Sequence, residues 1–399
     1  MISVISFAAT SGAWAQQAAN VVLEKDDAGH WTLVVNGEDY LIRGVDYRVT
    51  RVGESPDQGT LKDWMTYDTN HNGHCDAAYD AWWDKNRDNR RDPNEPVLGD
   101  FELMRRMGVN TIRWYVNDFK NQKVDKELLR DLFETYGIRV AVGDKFGAYT
   151  IGSGASWSLG TDYRDAAQRA RMLQSVENMV LEHKNEPYTL LWLLGNENNL
   201  HFTNTNAGKY PDDYAAFLEE AAQLIHRLDG RHPVALVNGD TQYIRKYAEK
   251  CPSIDIFGTN CYRGENGFGG LWKDVKSHID KPVLITEFGG AEGNGYDEDW
   301  QAKYHENAWK DIEANKAGSG EGNAIGGFAY EWIDEWWKAG DPLRQAPHGT
   351  SGKQGVSAKA PWTQEYCGIV SQGNGSKSPL VRQLRKVYFT YQRLWKRAD

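Results

Sequence analysis

Two glutamates stand where long apolar runs end: Glu197 closes "LLWLLGNE" and Glu287 sits in "PVLITEFGG". Runs of that kind read as buried strands, so each carboxylate is delivered to the edge of a sheet by rigid backbone. A lone glutamate after a strand is usually a surface or salt-bridged residue, but two at matching positions of one sheet would face a shared pocket. Two carboxyls across a pocket suit cleavage of a glycosidic bond. One, protonated, donates to the leaving oxygen, and the other, ionised, attacks or stabilises the anomeric carbon.

The elements that must position them repeat along the chain. Eight short β-rich apolar runs, at 40–45, 109–115, 138–142, 189–194, 234–237, 254–259, 283–286 and 324–330, alternate with amphipathic stretches such as 163–184 and 212–228. Alternation of this kind, with no second pattern, predicts an α/β fold, a (β/α)8 TIM barrel in which strand C-termini carry the chemistry. Those ends read Asp46-Tyr47, Arg113-Trp114-Tyr115, Asn196-Glu197, Asn260-Cys261-Tyr262, Glu287 and Glu331-Trp332. A hairpin turning at Asn36-Gly37 is expected to seal the barrel bottom, and Val381, Leu384, Tyr388, Tyr391 and Trp395 read as the last helix.

This constellation resembles glycoside hydrolase clan A, the retaining (β/α)8 glycosidases with the acid/base after the fourth strand and the nucleophile after the seventh. Gly195-Asn196-Glu197 is similar to that clan's Asn-Glu pair, and Thr286-Glu287-Phe288-Gly289 to its nucleophile strand. Segment order looks most like two branches, the barrel domain of the β-galactosidase/β-glucuronidase family and the β-1,3-glucanosyltransferases. The pieces "IRGVDY", "GVNTIR", "DIFGTNCY" and "GGFAYE" lean towards the latter. The resemblance implies that Glu197 is the general acid/base and Glu287 the nucleophile, with Asn196 on the sugar 2-hydroxyl. It places Arg113 and Tyr262 beside Glu287, Trp332 under the sugar as a stacking platform, and Tyr47 and Glu331 among the substrate-binding residues.

Between the first two strands lies "DTNHNGHCDAAYDAWWDKNRDNRRDPNE", too long for a simple connection. Asp84, Asn86, Asp88, Arg90, Asp92 and Glu95 fall at positions one, three, five, seven, nine and twelve of an EF-hand loop, with Asn89 at the turn position. Asp68, Asn70, Asn72, Gly73 and Asp76 repeat the first part, with Tyr79 at position twelve and Asp80 as a substitute. Oxygen donors without a Cys or His cluster predict structural calcium rather than zinc, since His71, His74 and Cys75 are too close together for a tetrahedral set. A solvated acidic loop is the alternative. Trp64, Trp82 and Trp83 either line further sugar subsites or pack.

The 399 residues carry a formal net charge of -10, which disfavours nucleic acid or an anionic membrane as partner. Sixteen Trp and twenty Tyr suit a carbohydrate partner, although most must pack. The run 2–10 followed by Ala13-Trp14-Ala15 reads as a signal-peptide remnant over 1–15, giving a secreted or periplasmic monomer with one catalytic domain over 16–399 and a calcium-binding insertion over 60–97. Of four cysteines, Cys251 and Cys261 are the nearer pair for a disulfide, with free buried thiols as the alternative. Gly264 to Gly270 lacks the spacing of a phosphate loop and reads as a flexible active-site loop, while 349–361 is expected to border the cleft. The expected function is a retaining β-glycoside hydrolase or transglycosylase on a β-glucan-type saccharide, with no organic cofactor. A catalytically silent carbohydrate-binding or calcium-organised adhesion protein is the alternative.

Overall fold

The computed structural model describes residues 18–118, 125–290, 297–345 and 364–396. The expected signal segment and the loop 349–361 lie outside the described residues. Strands β1 (Val21–Lys25), β2 (Trp31–Val35) and β3 (Glu38–Asp39) form an antiparallel sheet in which Val35 pairs with Glu38 across Asn36-Gly37. Both turn residues have positive φ, 54° and 89°, as a two-residue type I′ hairpin demands.

The barrel comprises β4 (Ile42–Asp46), then, beyond a short β5 (Trp82–Trp83) in the insertion, β6 (Thr111–Tyr115), β7 (Arg139–Asp144), β8 (Thr189–Leu194), β9 (Val234–Gly239), β10 (Ile256–Asn260), β11 (Val283–Phe288) and β12 (Ala324–Ala329). All eight barrel strands pair in parallel, and β12 closes on β4 through Gly327 and Arg43. Each coincides with one of the eight apolar runs. Phe328 fills the barrel over Gly44, where a Cβ would stand 2.3 Å from its ring. Val21, Leu33 and Val35 join Ile42, Leu191, Leu193 and Phe328 in one buried cluster, so the hairpin plugs the barrel's N-terminal end.

Around the barrel run α1 (Gly99–Met107), α2 (Lys126–Tyr136), α3 (Ala166–His183), α4 (Pro211–Leu228), α5 (Ile244–Lys250), α6 (Leu271–His278), α7 (Glu298–Ala314) and α8 (Lys386–Trp395). Asp125, Asp165 and Asp297 cap α2, α3 and α7 by accepting backbone N–H bonds from the first turn.

One expectation changes, and two open alternatives resolve. Val381 and Leu384 are not helical: they bound β14 (Val381–Leu384), which pairs with β5 and with β13 (Val370–Ser371), whereas Tyr388, Tyr391 and Trp395 are buried on α8 as expected. The strand wins because Arg382 is fully buried in a bidentate bond to Asp100, an anchor a helical register would misplace. The Cys251–Cys261 disulfide is absent, and all four cysteines are buried thiols. The two flank β10, whose length of roughly 16 Å keeps them well beyond disulfide reach. Trp64 and Trp82 are buried, Trp64 edge-on to Tyr47 at 4.8 Å and Trp82 paired with Val381 of β14. No helix among the described residues is long and apolar enough to cross a membrane.

Candidate active site

The site is built around Arg113 in the middle of β6; its side chain is 1% exposed. Its Nη1 donates to Glu287 Oε1 at 2.8 Å and to the Thr286 carbonyl at 2.6 Å, while Nη2 donates to Asn196 Oδ1 at 2.5 Å. One guanidinium therefore sets the ends of β8 and β11 relative to each other. Tyr115 steadies it from below: its ring lies 4.9 Å away, its oxygen accepts from Nε at 3.2 Å, and its hydroxyl donates to the Gly195 carbonyl at 2.9 Å. On the far side Tyr262 donates its hydroxyl to Glu287 Oε2 at 2.8 Å. Each oxygen of Glu287 thus has its own donor.

Glu197 reaches the same mouth by a strained turn. Its φ is 55°, in the left-handed region that side chains other than glycine seldom occupy. The preceding Gly195 has φ 84°, and a Cβ there would stand 2.5 Å from Asn198 Oδ1, the atom that accepts the Asn196 amide at 2.6 Å. Asn198 is itself held by the Phe146 carbonyl at 2.9 Å and Tyr163 at 2.6 Å. The "GNEN" amides are thus a scaffold that holds the Glu197 turn in place. Glu197 keeps part of its surface open at the mouth but is hemmed in by protein. That burial, reinforced by the charge of Glu287, raises its carboxyl to about 8. Asn260 orders the floor through Thr286, whose hydroxyl donates to Asn260 Oδ1 at 2.8 Å.

Glu197, Glu287, Asn196, Arg113 and Tyr262 are therefore brought together, whereas three other candidates are not. Trp332 is fully buried and edge-on to Tyr388 at 6.4 Å, with no face left for a sugar. Tyr330, not Trp332, stands beside the site, edge-on to Tyr262 at 6.5 Å and donating to Glu335 Oε2 at 2.6 Å. β12 ends at Ala329, so by Trp332 the chain has already turned down onto α8. Tyr47 is 1% exposed and donates to Asp100 at 3.1 Å, a core contact. Glu331 is 2% exposed and accepts from Cys367 Sγ at 3.4 Å; burial, then the charge of Glu335, pushes its carboxyl well above the usual range.

A layer of charge around the carboxylates escaped the motif search. Lys145 pairs with Asp118 at 3.3 Å and lies 3.9 Å from the Tyr115 ring. Arg48 bonds Glu335, and Lys338 lies 3.3 Å from the other oxygen of Glu335. Burial pushes Glu335 up, but Lys338, Arg48 and the Tyr330 hydroxyl outweigh it and bring it to about 2. Tyr149 follows β7 and has its phenol pushed up by burial and by the charges of Glu197 and Glu287, which places it beside both. The third strand's end, Asp144-Lys145, carried a signal for this layer in its position alone.

In the insertion, both acidic loops wrap around their first aspartate. Asp84 accepts from the Asp88 and Asn89 amides at 3.2 and 2.9 Å, and Asp68 from the Asn72 and Gly73 amides, both at 3.0 Å. Asn89 and Gly73 have positive φ, 62° and 85°, at the turn position. Asp80 accepts the side-chain amides of Asn70 and Asn72 at 2.9 and 2.8 Å, standing in for the missing twelfth-position acid. Asp76 instead accepts from the Thr69 amide and hydroxyl, and Asp92 from the Asn86 amide group. Glu95 caps Lys85, Asn86 and Asp92 amides. Among the described residues no three Asp, Glu, His or Cys groups are drawn together; in both loops the carboxylates accept amides of their own loop instead.

No curated protein matches this sequence. Among solved structures, the chain is similar to a β-D-glucuronidase from Dictyoglomus thermophilum, with TM-score 0.57 and 14% identity over 94% of this chain and 53% of that one. It is also similar to a GH2 β-galacturonidase from Eisenbergiella tayi bound to galacturonate, with TM-score 0.55 and 14% identity over 95% of this chain and 54% of that one. A calcium-binding mutant of β-glucuronidase 2 from Bacteroides uniformis aligns with TM-score 0.57 and 16% identity, over 95% of this chain and 37% of that one. At such identities the likeness is one of fold, and the chain spans about half or less of these neighbours' lengths. Residues 84–311 match the family model described as glycosyl hydrolases family 2, TIM barrel domain, which is the first of the two branches the segments resemble. The chain belongs to the TIM-barrel domain family of the family 2 glycosyl hydrolases.

Proposed function

We propose that this chain is a retaining β-glycosidase working by double displacement. One observation carries the reading: of two carboxyls at one barrel mouth, Glu287 is bonded on both oxygens by Arg113 and Tyr262, while Glu197 is raised to about 8. Environments that separate two carboxyls in this way assign their roles. Glu287 attacks the anomeric carbon as Glu197 gives its proton to the glycosidic oxygen and the leaving group departs. Glu197 then takes a proton from water as that oxygen attacks the same carbon and releases Glu287. Asn196, held by Arg113, is placed to bond the sugar 2-hydroxyl, where a contact that tightens in the transition state lowers the barrier. A second saccharide in place of water makes the same chemistry a transglycosylation.

For the substrate we infer a neutral β-glucan-type saccharide. A uronide is the second reading, favoured by the cations Lys145, Arg48 and Lys338 around the carboxylates. The test is product analysis on a panel of β-glucans, galactans, mannans and aryl β-glycosides including β-glucuronide and β-galacturonide, with Glu287→Ala as the blank. Shortened products name a hydrolase and its linkage, and lengthened ones a transglycosylase. Turnover no better than the blank across the panel sinks the reading and returns the binding-protein alternative.

We infer further that the loop from Asp84 to Glu95 takes calcium. Its donors are all oxygen, which suits a hard cation, and Asp84 and Glu95 are 1% and 2% exposed. Asp84, Asn86, Asp88, the Arg90 carbonyl, Asp92 and Glu95 would hold it, and its role would be to order the insertion.

A further inference from the structure

Only eight large apolar side chains are strongly exposed among the described residues, and three of them, Trp157 at 64%, Leu159 at 87% and Phe202 at 51%, lie on two loops bonded to each other. The loops follow β7 and β8 at the C-terminal end of the barrel. They are stitched by Thr161 N–H to the Asn204 carbonyl at 2.9 Å, Asn206 N–H to the Thr161 carbonyl at 2.9 Å, and Asn204 Nδ2 to the Trp157 carbonyl at 2.6 Å. Gly160 permits the closeness, since a Cβ there would stand 2.7 Å from Asn204 Oδ1.

Each loop has one end in the active site. The first leaves from Tyr149, which stands beside both carboxyls. The second leaves from Glu197 itself, whose carbonyl accepts from Leu200 N–H at 2.8 Å and from the Thr203 hydroxyl at 3.2 Å, so Phe202 rides on the turn that holds the acid. A general acid protonates the oxygen that departs with the leaving group, so whatever lies beyond the scissile bond must pass over Glu197's side of the mouth. Scattered exposed apolar residues need no explanation, but three on one stitched pair of loops, two of them aromatic, offer flat apolar faces suited to the C–H face of a sugar ring.

We propose that Trp157, Leu159 and Phe202 form a binding subsite for the leaving-group saccharide, so that the substrate extends past the scissile bond as an oligo- or polysaccharide. This rests on the glycosidase reading, and it makes the ledge the place where an acceptor sugar waits if the enzyme transfers rather than hydrolyses. Its occupant is a pyranose ring lying flat.

The test compares the full chain with Trp157→Ala, Phe202→Ala and the double variant in two assays. Calorimetry measures binding of β-linked gluco-oligosaccharides of increasing length to each, in a Glu197→Gln background that prevents turnover. Kinetics on a β-glycosyl fluoride reads the chemistry with a leaving group, fluoride, that leaves the ledge empty. The expected result is about a tenfold loss of affinity per aromatic for the longer saccharides, about 1.4 kcal/mol, with a smaller loss of kcat/KM on the glycosyl fluoride. Equal affinities, no binding by the unaltered ledge, or a changed oligomeric state with unchanged affinity would each overturn the proposal, the last assigning the patch to a second copy of the chain. Ledge-dependent binding with no turnover of any glycosyl fluoride would remove the glycosidase reading and leave the subsite standing. Trp157→Phe, which keeps a flat ring, is expected to retain most of the affinity, which a general folding defect would not allow.

Discussion

Asp46 and Glu287 share one nitrogen of Arg113: Nη1 lies 3.1 Å from Asp46 Oδ1 and 2.8 Å from Glu287 Oε1. The second oxygen of Asp46 is buried without a hydrogen-bond partner, whereas that of Glu287 is held by Tyr262. Two buried anions on one cation repel, so the less supported one keeps its proton.

Burial is the main force raising the Asp46 carboxyl well above the ordinary range, opposed by Arg113 and reinforced by Glu287. Asp46 is thereby pushed towards its neutral form, which leaves more of the charge of Arg113 to Glu287. Asp46→Asn imitates that state and is expected to keep kcat/KM within about threefold, since an equivalent hydrogen bond is retained. Asp46→Ala lets the guanidinium shift and is expected to lose about 10- to 100-fold in kcat. A displaced acid limb in the pH profile of Asp46→Asn would show instead that Asp46 is ionised and competes for Arg113.

Glu197, raised to about 8, predicts a pH profile. kcat/KM should fall as pH rises through about 8, and Glu287→Gln, which removes a neighbouring negative charge, should move the Glu197 titration to lower pH. Stability follows the same group. Its folded value lies above the ordinary 4.5, so its contribution is fully present below that value and is lost as pH rises through about 8. Glu197→Gln should therefore have a flatter denaturation midpoint between those limits. A parent protein equally stable across the window would refute the assignment.

The barrel and its two carboxylates were legible because strand ends are set by chain-local patterns: an apolar run fixes the strand and the next polar residue lands at the mouth. Asn196 and Arg113 could be found the same way. Trp332 could not be placed, because the chain's path past Ala329 depends on what it packs against, and there α8 claims the indole while Tyr330 faces Tyr262. Val381 and Leu384 misled for a related reason. Their spacing of three fits a helix, but an edge pairing with β5 and the burial of Arg382 are non-local and override it. Lys145, Tyr149 and Arg48 carry no motif, and only the closed barrel brings them to the carboxylates.

The Asp100–Arg382 pair ties β14 to α1 with both side chains 0% exposed, at 2.6 and 2.7 Å. Removing one partner strands a buried charge, so Asp100→Ala is expected to cost about 3 to 5 kcal/mol in urea denaturation. Replacing both, as Asp100→Leu with Arg382→Met, should recover most of that loss. A single variant as stable as the parent would mean that water reaches the pair, contrary to its burial.

Calcium is expected to stabilise the chain through the Asp84 loop. Asp84, Asn86 and Asp88 already accept amides of their own loop, at 3.2, 3.0 and 2.8 Å among others, which aims the backbone outward and leaves further lone pairs on the same oxygens for an ion. A cation that binds only the folded loop adds about 2.7 kcal/mol at a hundredfold excess over Kd. Chelation should therefore lower the thermal midpoint, and added calcium should restore it. Asp84→Ala should remove the response while leaving kcat/KM on an aryl glycoside near the parent value, because the loop supplies no group to the barrel mouth. Magnesium should restore less, since it resists giving up its own waters for a set of flexible protein oxygens. A midpoint unmoved by chelator, with no calcium in the purified protein by mass spectrometry, would return the insertion to a self-bonded acidic loop.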